Sequence, residues 1–275
     1  MADSDSVADP EAPALLPAAL LAALEQTLQG SGGDADAPGL TAIVHVEGSA
    51  PWVGAYGLAS VDPALPASGD DRFRIGSITK TFVTAAVLQL VQEGALGLDD
   101  ALDDHVGGFD LGPEVTLERL LSHTAGLFNY TDDPLFLAQG ETAATPQEVV
   151  EWALAPPHEP PFAPGEGFLY SNTGYFLLGL VLEAATATPL VALLRSRLWG
   201  PEGLDDTFLD GSEAIAGGMA EGHVLGSEAP PFDMSWAWAA GAGVSDVDDL
   251  CRWAHELYGG DVLTEAMREA MINAV

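Results

Sequence analysis

The sequence predicts a mixed α/β (α+β) domain in which a β-hairpin and one central apolar helix carry an inserted, mostly helical section. Three observations predict it. Two β-patterned runs, Leu40–Val46 and Trp52–Leu58, flank a turn-like stretch that begins Glu47-Gly48-Ser49, the pattern of a hairpin. From Ser77 to about Glu93 the residues are apolar on nearly every helical face, and Gly94 follows in the C′ position; all-round hydrophobicity puts such a helix at the centre of a molecule. Between residues 95 and 235, short helical patterns alternate with most of the chain's prolines.

Taken in order, residues 1–12 form an acidic, linker-like tail, and the apolar stretch from Ala12 to Leu24 reads as a first amphipathic helix ending near Gly30. The Gly30–Asp36 stretch is again linker-like. The middle section is expected to be helical at Leu117–Leu121, Pro146–Ala153 and Thr173–Ala185, and a last amphipathic pattern runs from Val247 to Leu257. No internal repeat is visible. The expected organisation is therefore an N-terminal tail and first helix (1–38), an α/β subdomain built from 39–94 and 236–275, and an inserted helical subdomain (95–235).

Bulk properties exclude several classes of function. The chain has 275 residues, 48% of them hydrophobic, enough to bury a sizeable core. Eight Lys and Arg face 42 Asp and Glu, a formal net charge of −34. That field repels nucleic-acid phosphates and anionic lipid surfaces, so neither is expected as a partner. The apolar run at 12–24 is too short to span a bilayer, and the acidic start has the wrong charge for a secretory leader. Cys251 stands alone and is expected to be a small buried helix residue, so no disulfide framework can form. The six histidines show no ligand spacing, and no metal or other cofactor is expected.

Chemistry is concentrated in Ser77-Ile78-Thr79-Lys80. On a helix, positions i and i+3 share a face. A serine hydroxyl becomes an effective nucleophile when a neighbouring base takes its proton, and a lysine can be that base once burial lowers its pKa. Lys80 is the only lysine in the chain; arginine, which cannot be deprotonated in a protein, could not replace it in this role. A helix start adds an unpaired N–H and a favourable dipole for an oxyanion. The competing reading makes Ser77 an N-cap and Lys80 a surface cation. A second element, Tyr170-Ser171-Asn172, could present a phenol and a carboxamide to one cleft; alternatively Asn172 caps the following helix and Tyr170 merely packs.

Four segments in order carry a resemblance: Gly76–Lys80; Val115–Leu127, which contains Leu120-Leu121-Ser122-His123-Thr124-Ala125-Gly126-Leu127; Pro164–Tyr175; and Trp236–Ser245 with its following helix. Over roughly residues 39–272 the chain resembles the serine hydrolases of the class C β-lactamase and D-alanyl-D-alanine carboxypeptidase family. The resemblance implies a β-lactamase/transpeptidase-like fold, an antiparallel sheet flanked by helices. It implies that Ser77 forms an acyl-enzyme, that Lys80 and Tyr170 share the proton transfers, and that Asn172 binds the substrate amide. Its substrates would be small-molecule amides, esters or peptides. His123 would be a structural, loop-organising residue, and the Asp99-Asp100 and Asp103-Asp104 pairs solvated turn residues. It also implies export. The family's third motif, a Lys/His-x-Gly on a strand beside the site, is not found after Tyr170. Gly222-His223-Val224-Leu225-Gly226 comes too early. The chain is therefore expected to be a truncated member lacking the last strands, and two further readings stay open: a penicillin-binding or peptide-sensing module that acylates without turnover, and a catalytically inactive remnant.

Overall fold

The computed structural model describes residues 14–34, 38–224, 227–229 and 231–273. The acidic tail at 1–12 and the end of the Gly30–Asp36 stretch lie outside them. Eight strands run through the described residues: β1 (Gly39–Val44), β2 (Trp52–Val61), β3 (Ala64–Pro66), β4 (Phe73–Arg74), β5 (Phe208–Leu209), β6 (His223–Val224), β7 (Ser227–Glu228) and β8 (Gly243–Ser245). The α-helices are α1 (Ala18–Asp34), α2 (Thr79–Gln92), α3 (Leu117–Leu121), α4 (Phe136–Gln139), α5 (Pro146–Leu154), α6 (Asn172–Thr186), α7 (Leu190–Leu194), α8 (Trp238–Gly241), α9 (Val247–Gly259) and α10 (Glu265–Asn273). By contacts the chain divides into two units, Met1–Asp71 with Ala220–Glu228 and Arg72–Met219 with Ala229–Val275.

In the first unit the expected hairpin forms, with Gly39 opposite Gly57 and Val44 opposite Trp52. Its second arm runs on to Val61, bulges between Leu58 and Ser60, and pairs with β3. Two strands alone are marginal in water. Here a third strand and α1, whose Leu28 is buried, supply what the pair lacks. α1 begins later than the apolar run suggested and continues through Gly30–Asp34, where a linker was expected. β6 and β7 form a short antiparallel pair, and the Glu221 N–H donates to the Ala59 carbonyl at 2.8 Å.

The second unit is built around α2. Its buried residues lie on all sides of the helix, from Thr79 and Lys80 to Leu90, and the helix packs against α6, α7, α8 and α10. Phe82 stacks on Trp253 at 4.3 Å and meets the edge of Trp199 at 5.9 Å. α6 can approach α8 because position 179 is glycine: a Cβ there would lie 2.6 Å from the Trp238 ring. The contact division thus keeps residues 72–94 with the helical section, because a helix buried on every face has its partners there.

A three-stranded antiparallel sheet, in the order β4–β8–β5, closes the unit beside the start of α2. Phe73 lies opposite Ser245, and Phe208 opposite Val244. The helices expected at 117–121, 146–153, 173–185 and 247–257 are present with ends moved by at most two residues. α5 begins with a capping box, in which the Thr145 hydroxyl accepts from the Glu148 N–H and the Glu148 carboxylate accepts from the Thr145 N–H. Cys251 is half-buried rather than buried, because on α9 it lies roughly opposite the face that Asp249, Trp253 and Leu257 bury. Burial pushes its thiol pKa up. Among the described residues no single helix is long and apolar enough to cross a membrane.

Candidate active site

Ser77 does not open α2 directly. It sits in a 3-10 turn, Gly76–Ile78, that leads into the helix at Thr79. Gly76 adopts φ 52°, a backbone conformation that side-chain-bearing residues rarely take, and it swings the chain out of β4 into that turn. The Thr79 hydroxyl, fully buried, donates to the Gly76 carbonyl at 2.6 Å and accepts from the Gly243 N–H at 2.8 Å. The serine is thereby tied to the sheet as well as to the helix. N–H groups at such a helix start have no intrahelical acceptor and point outward.

One turn along, Lys80 is only 6% exposed. Its Nζ lies 3.1 Å from Ser77 Oγ, 2.6 Å from Asn172 Oδ1 and 2.6 Å from the Ala240 carbonyl oxygen. The rings of Tyr170 and Tyr175 flank it, with centroids 4.8 and 5.3 Å away. Burial lowers the Lys80 pKa from 10.5 to about 7. The three partners fix what the amine presents to the serine. A carboxamide oxygen and a peptide carbonyl oxygen can only accept, so each takes an N–H. The third direction, toward Ser77 Oγ, carries an N–H in the ammonium and a lone pair in the neutral amine.

Tyr170 approaches Ser77 from the other side, its phenol donating to Ser77 Oγ at 2.6 Å. It is 38% exposed. Asn172 does not cap α6; Ser171 does, its hydroxyl accepting from the Gly174 N–H. Asn172 is the first residue of α6, and its carboxamide is committed elsewhere, Oδ1 to Lys80 and Nδ2 to Thr131 Oγ1 at 3.1 Å. Tyr170, Ser77, Lys80 and Asn172, named from sequence, are therefore joined in that order by one chain of hydrogen bonds.

His123 lies behind them. Its backbone is left-handed, φ 61°, and its carbonyl accepts from the Leu169 N–H at 3.1 Å. Its Nδ1 accepts from the Ser171 N–H at 3.1 Å, and its ring lies 4.4 Å from that of Tyr170. Burial first, and then the Lys80 charge, push the His123 pKa down to about 4. The neutral ring accepts at Nδ1 and so carries its proton on Nε2. Its contacts organise the Tyr170 loop. Of the aspartates of the 99–104 turn, Asp99 and Asp104 are exposed as solvated turn residues would be, whereas Asp100 accepts from the Gly97 N–H and meets His105 Nε2 at 2.9 Å, and Asp103 accepts from the Gly112 N–H.

Sequence reasoning missed three groups. The Ala240 carbonyl leaves no side-chain signature. Asn129, 6% exposed, accepts the Asn172 N–H at 2.9 Å and donates from Nδ2 to Thr131 Oγ1 at 2.8 Å. A polar residue following the apolar Ala125-Gly126-Leu127-Phe128 run was the available signal for Asn129; none marked Thr131. Of the stretch considered for the third motif, His223 and Val224 form β6 in the first unit, and Leu225 and Gly226 lie outside the described residues.

Known proteins are similar to this chain over most of its length. The Beta-lactamase family model matches residues 22–275. Penicillin-binding protein 4 of Amycolatopsis lactamdurans is 30% identical over 207 residues, which cover 72% of this chain and 52% of that protein. The structure of a D-stereospecific amidohydrolase from Streptomyces sp. superposes with a TM-score of 0.78 at 31% identity, covering 92% of this chain and 77% of that one. The D-amino acid amidase of Ochrobactrum anthropi SV3, complexed with L-phenylalanine amide, gives a TM-score of 0.81 at 27% identity, covering 90% and 73%. The chain spans about half the length of the curated relatives it matches.

Proposed function

The chain belongs to the Beta-lactamase family, and on that premise we propose that it is a serine hydrolase that opens small amides or esters through an acyl-enzyme on Ser77. The observation that carries the proposal is the environment of Lys80 Nζ: a buried amine with a pKa near 7 whose third valence faces the serine hydroxyl. In its neutral form Lys80 spends two N–H bonds on Asn172 and Ala240 and turns its lone pair to Ser77 Oγ–H. As Oγ attacks the substrate carbonyl, that proton moves to Nζ and the carbonyl becomes an oxyanion. The Ser77 N–H at the helix start is disposed to receive it.

Collapse of the adduct breaks the C–N or C–O bond and needs a proton on the leaving atom. The Tyr170 phenol, in contact with Ser77 Oγ, delivers one and is replenished from the Lys80 ammonium, so the proton taken from Ser77 ends on Tyr170 and the phenol's own proton leaves with the product. Deacylation reverses the roles: water attacks, gives a proton to the same pair, and Ser77 regains its own. The second N–H of Asn172 Nδ2 is available for a substrate carbonyl. Amino-acid amides are the favoured substrates, since the amidohydrolase and amidase that superpose at 31% and 27% identity act, by name, on D-configured compounds.

Incubation with a fluorescent penicillin, with nitrocefin and with D- and L-phenylalanine amide tests the reading. Labelling or hydrolysis that disappears in Ser77→Ala supports it. Labelling without turnover identifies a module that acylates and stops. No reaction with any of these compounds sinks the hydrolase reading and leaves the inactive remnant.

A further inference from the structure

The Asn172 carboxamide, the shared partner of Lys80 and Thr131, is held by a loop that has its own anchor on the side away from Ser77. The loop is Phe128–Asp133. It is stitched to the start of α6 by the Asn129 Oδ1 and Thr131 Oγ1 bonds to Asn172, by Thr173 Oγ1 donating to the Phe128 carbonyl at 2.6 Å, and by the Tyr130 N–H donating to Thr173 Oγ1 at 3.2 Å. Its last residue, Asp133, pairs with His158, Oδ2 to Nε2 at 2.6 Å, with side chains 12% and 8% exposed. The other Asp133 oxygen accepts from the Leu135 N–H at 2.7 Å.

His158 is fixed on every side. Its Nδ1 meets the Trp152 carbonyl at 3.0 Å, its ring stacks on Phe128 at 4.2 Å and 6°, and the Trp152 indole presents an edge at 5.6 Å. Each ring nitrogen faces an oxygen that can only accept. The histidine thus grips the loop twice, at Phe128 by stacking and at Asp133 by a hydrogen bond, and the four residues between those grips include Asn129 and Thr131. His158 also stands near the head of the segment that continues through Pro164-Gly165 to Tyr170. Among the described residues it forms no hydrogen bond or ring contact with Ser77, Lys80, Tyr170 or Asn172.

We propose that His158 and Asp133 are positioning residues of this active site: the pair sets the Phe128–Asp133 loop, the loop sets Asn172, and Asn172 sets the Lys80 amine. The inference rests on the Ser77 reading for its kinetic consequence alone. The alternative is an ordinary structural ion pair, and the chain supplies a comparison for that. His105 and Asp100 form a pair of the same chemistry at 2.9 Å, with no recorded bond, among the described residues, to 128–133 or 171–173.

Because Lys80 is the only lysine, a chain labelled with 13Cε-lysine gives one ε-carbon signal, and its pH titration reads the amine directly. In His158→Ala the released Asn172 oxygen no longer favours the ammonium, so the midpoint moves down by about half a pH unit or more. In His105→Ala it stays with the wild type. Asp133→Asn, close in shape to the native residue, is expected to move with His158→Ala and decides the matter if that variant does not fold. A midpoint unmoved in both, or displaced equally in His105→Ala, overturns the proposal. On the kinetic side, labelling of Ser77 by a fluorescent penicillin slows by about 10- to 100-fold in His158→Ala and by less than about twofold in His105→Ala. Equal slowing in the two variants also overturns it. A wild type that is never labelled defeats the hydrolase reading, while the lysine titration still decides the role of the pair.

Discussion

Acylation of Ser77 should follow the ionisation of one amine. With an ordinary pKa of 10.5, a lysine at pH 7 is neutral in about three molecules in ten thousand; at about 7, as for Lys80, it is neutral in about half. Burial therefore raises the population of competent base about a thousandfold, comparable with what general-base catalysis supplies as a whole. The base must be unprotonated to act, so the rate should climb tenfold per pH unit below the midpoint and level off above it. At pH 5 it should stand about 100-fold below the plateau. His123 does not confuse the limb, because a group held at about 4 is neutral throughout this window. The assay is the pseudo-first-order rate of acyl-adduct formation, followed by intact mass between pH 5 and 9 with a probe of constant charge. The 13Cε titration of Lys80 gives the midpoint independently. A rate flat from pH 5 to 8, a midpoint above 9, or kinetic and spectroscopic midpoints more than about one unit apart would refute the reasoning.

Three further outcomes are expected. Lys80→Arg keeps the charge but cannot lose its proton, so adduct formation should fall by about 10²–10⁴ while circular dichroism shows the fold retained; persistent labelling would contradict the base assignment. Asp249 is 5% exposed and accepts from the Asp206 N–H and the Thr207 hydroxyl; burial, the largest cause, raises its pKa from 3.8 to about 6. A carboxyl with a raised folded-state pKa contributes stability that is full below about 4 and lost as pH rises through 6. Relative to wild type, Asp249→Asn should gain about 1–3 kcal/mol between pH 4 and pH 7 in denaturant unfolding, and a pH-independent difference would rule this out. Finally, five arginines are paired with carboxylates among the described residues, and with all eight lysines and arginines counted the chain still carries a net charge of −34. Raising salt from about 0.01 to 1 M, which shortens the screening length from about 30 to 3 Å, should therefore raise the melting temperature. A melting point indifferent to salt would show that the excess charge does not strain the fold.

Much of the site was legible because part of it is local. Ser77 and Lys80 are one helical turn apart, and their meeting follows from α-helical spacing alone, although the first turn is 3-10. Tyr170 and Asn172 are another matter. They lie more than ninety residues from Ser77 and Lys80 along the chain, and a Tyr-x-Asn string says nothing of that distance; the resemblance to a family supplied it. Helix interiors were readable from periodicity, whereas the third strand of the first unit, three residues long and exposed along its length, has no pattern to find. Asn129 and Thr131 act through bonds to residues 41 and 43 positions away, and the Ala240 carbonyl acts through the backbone.

The composition and the site together resolve an apparent conflict. A chain with 42 carboxylates and eight lysines and arginines offers a cation attractive partners almost everywhere, and one carboxylate near Lys80 would favour the ammonium and undo the effect of burial. Its three partners are a hydroxyl, a carboxamide and a carbonyl, all uncharged, and desolvation is the one cause of its lowered pKa. A neutral acceptor set orients the amine without locking its proton. Asn172 is the telling member: an aspartate there would fit the same space and accept from the same Nζ, but would hold the lysine charged. Asn172→Asp should therefore leave the fold and the Lys80–Ser77 distance nearly unchanged, move the 13Cε midpoint of Lys80 upward by one unit or more, and carry the acid limb of acylation up with it. If the limb stays near 7 while the lysine midpoint rises, Lys80 is not the base.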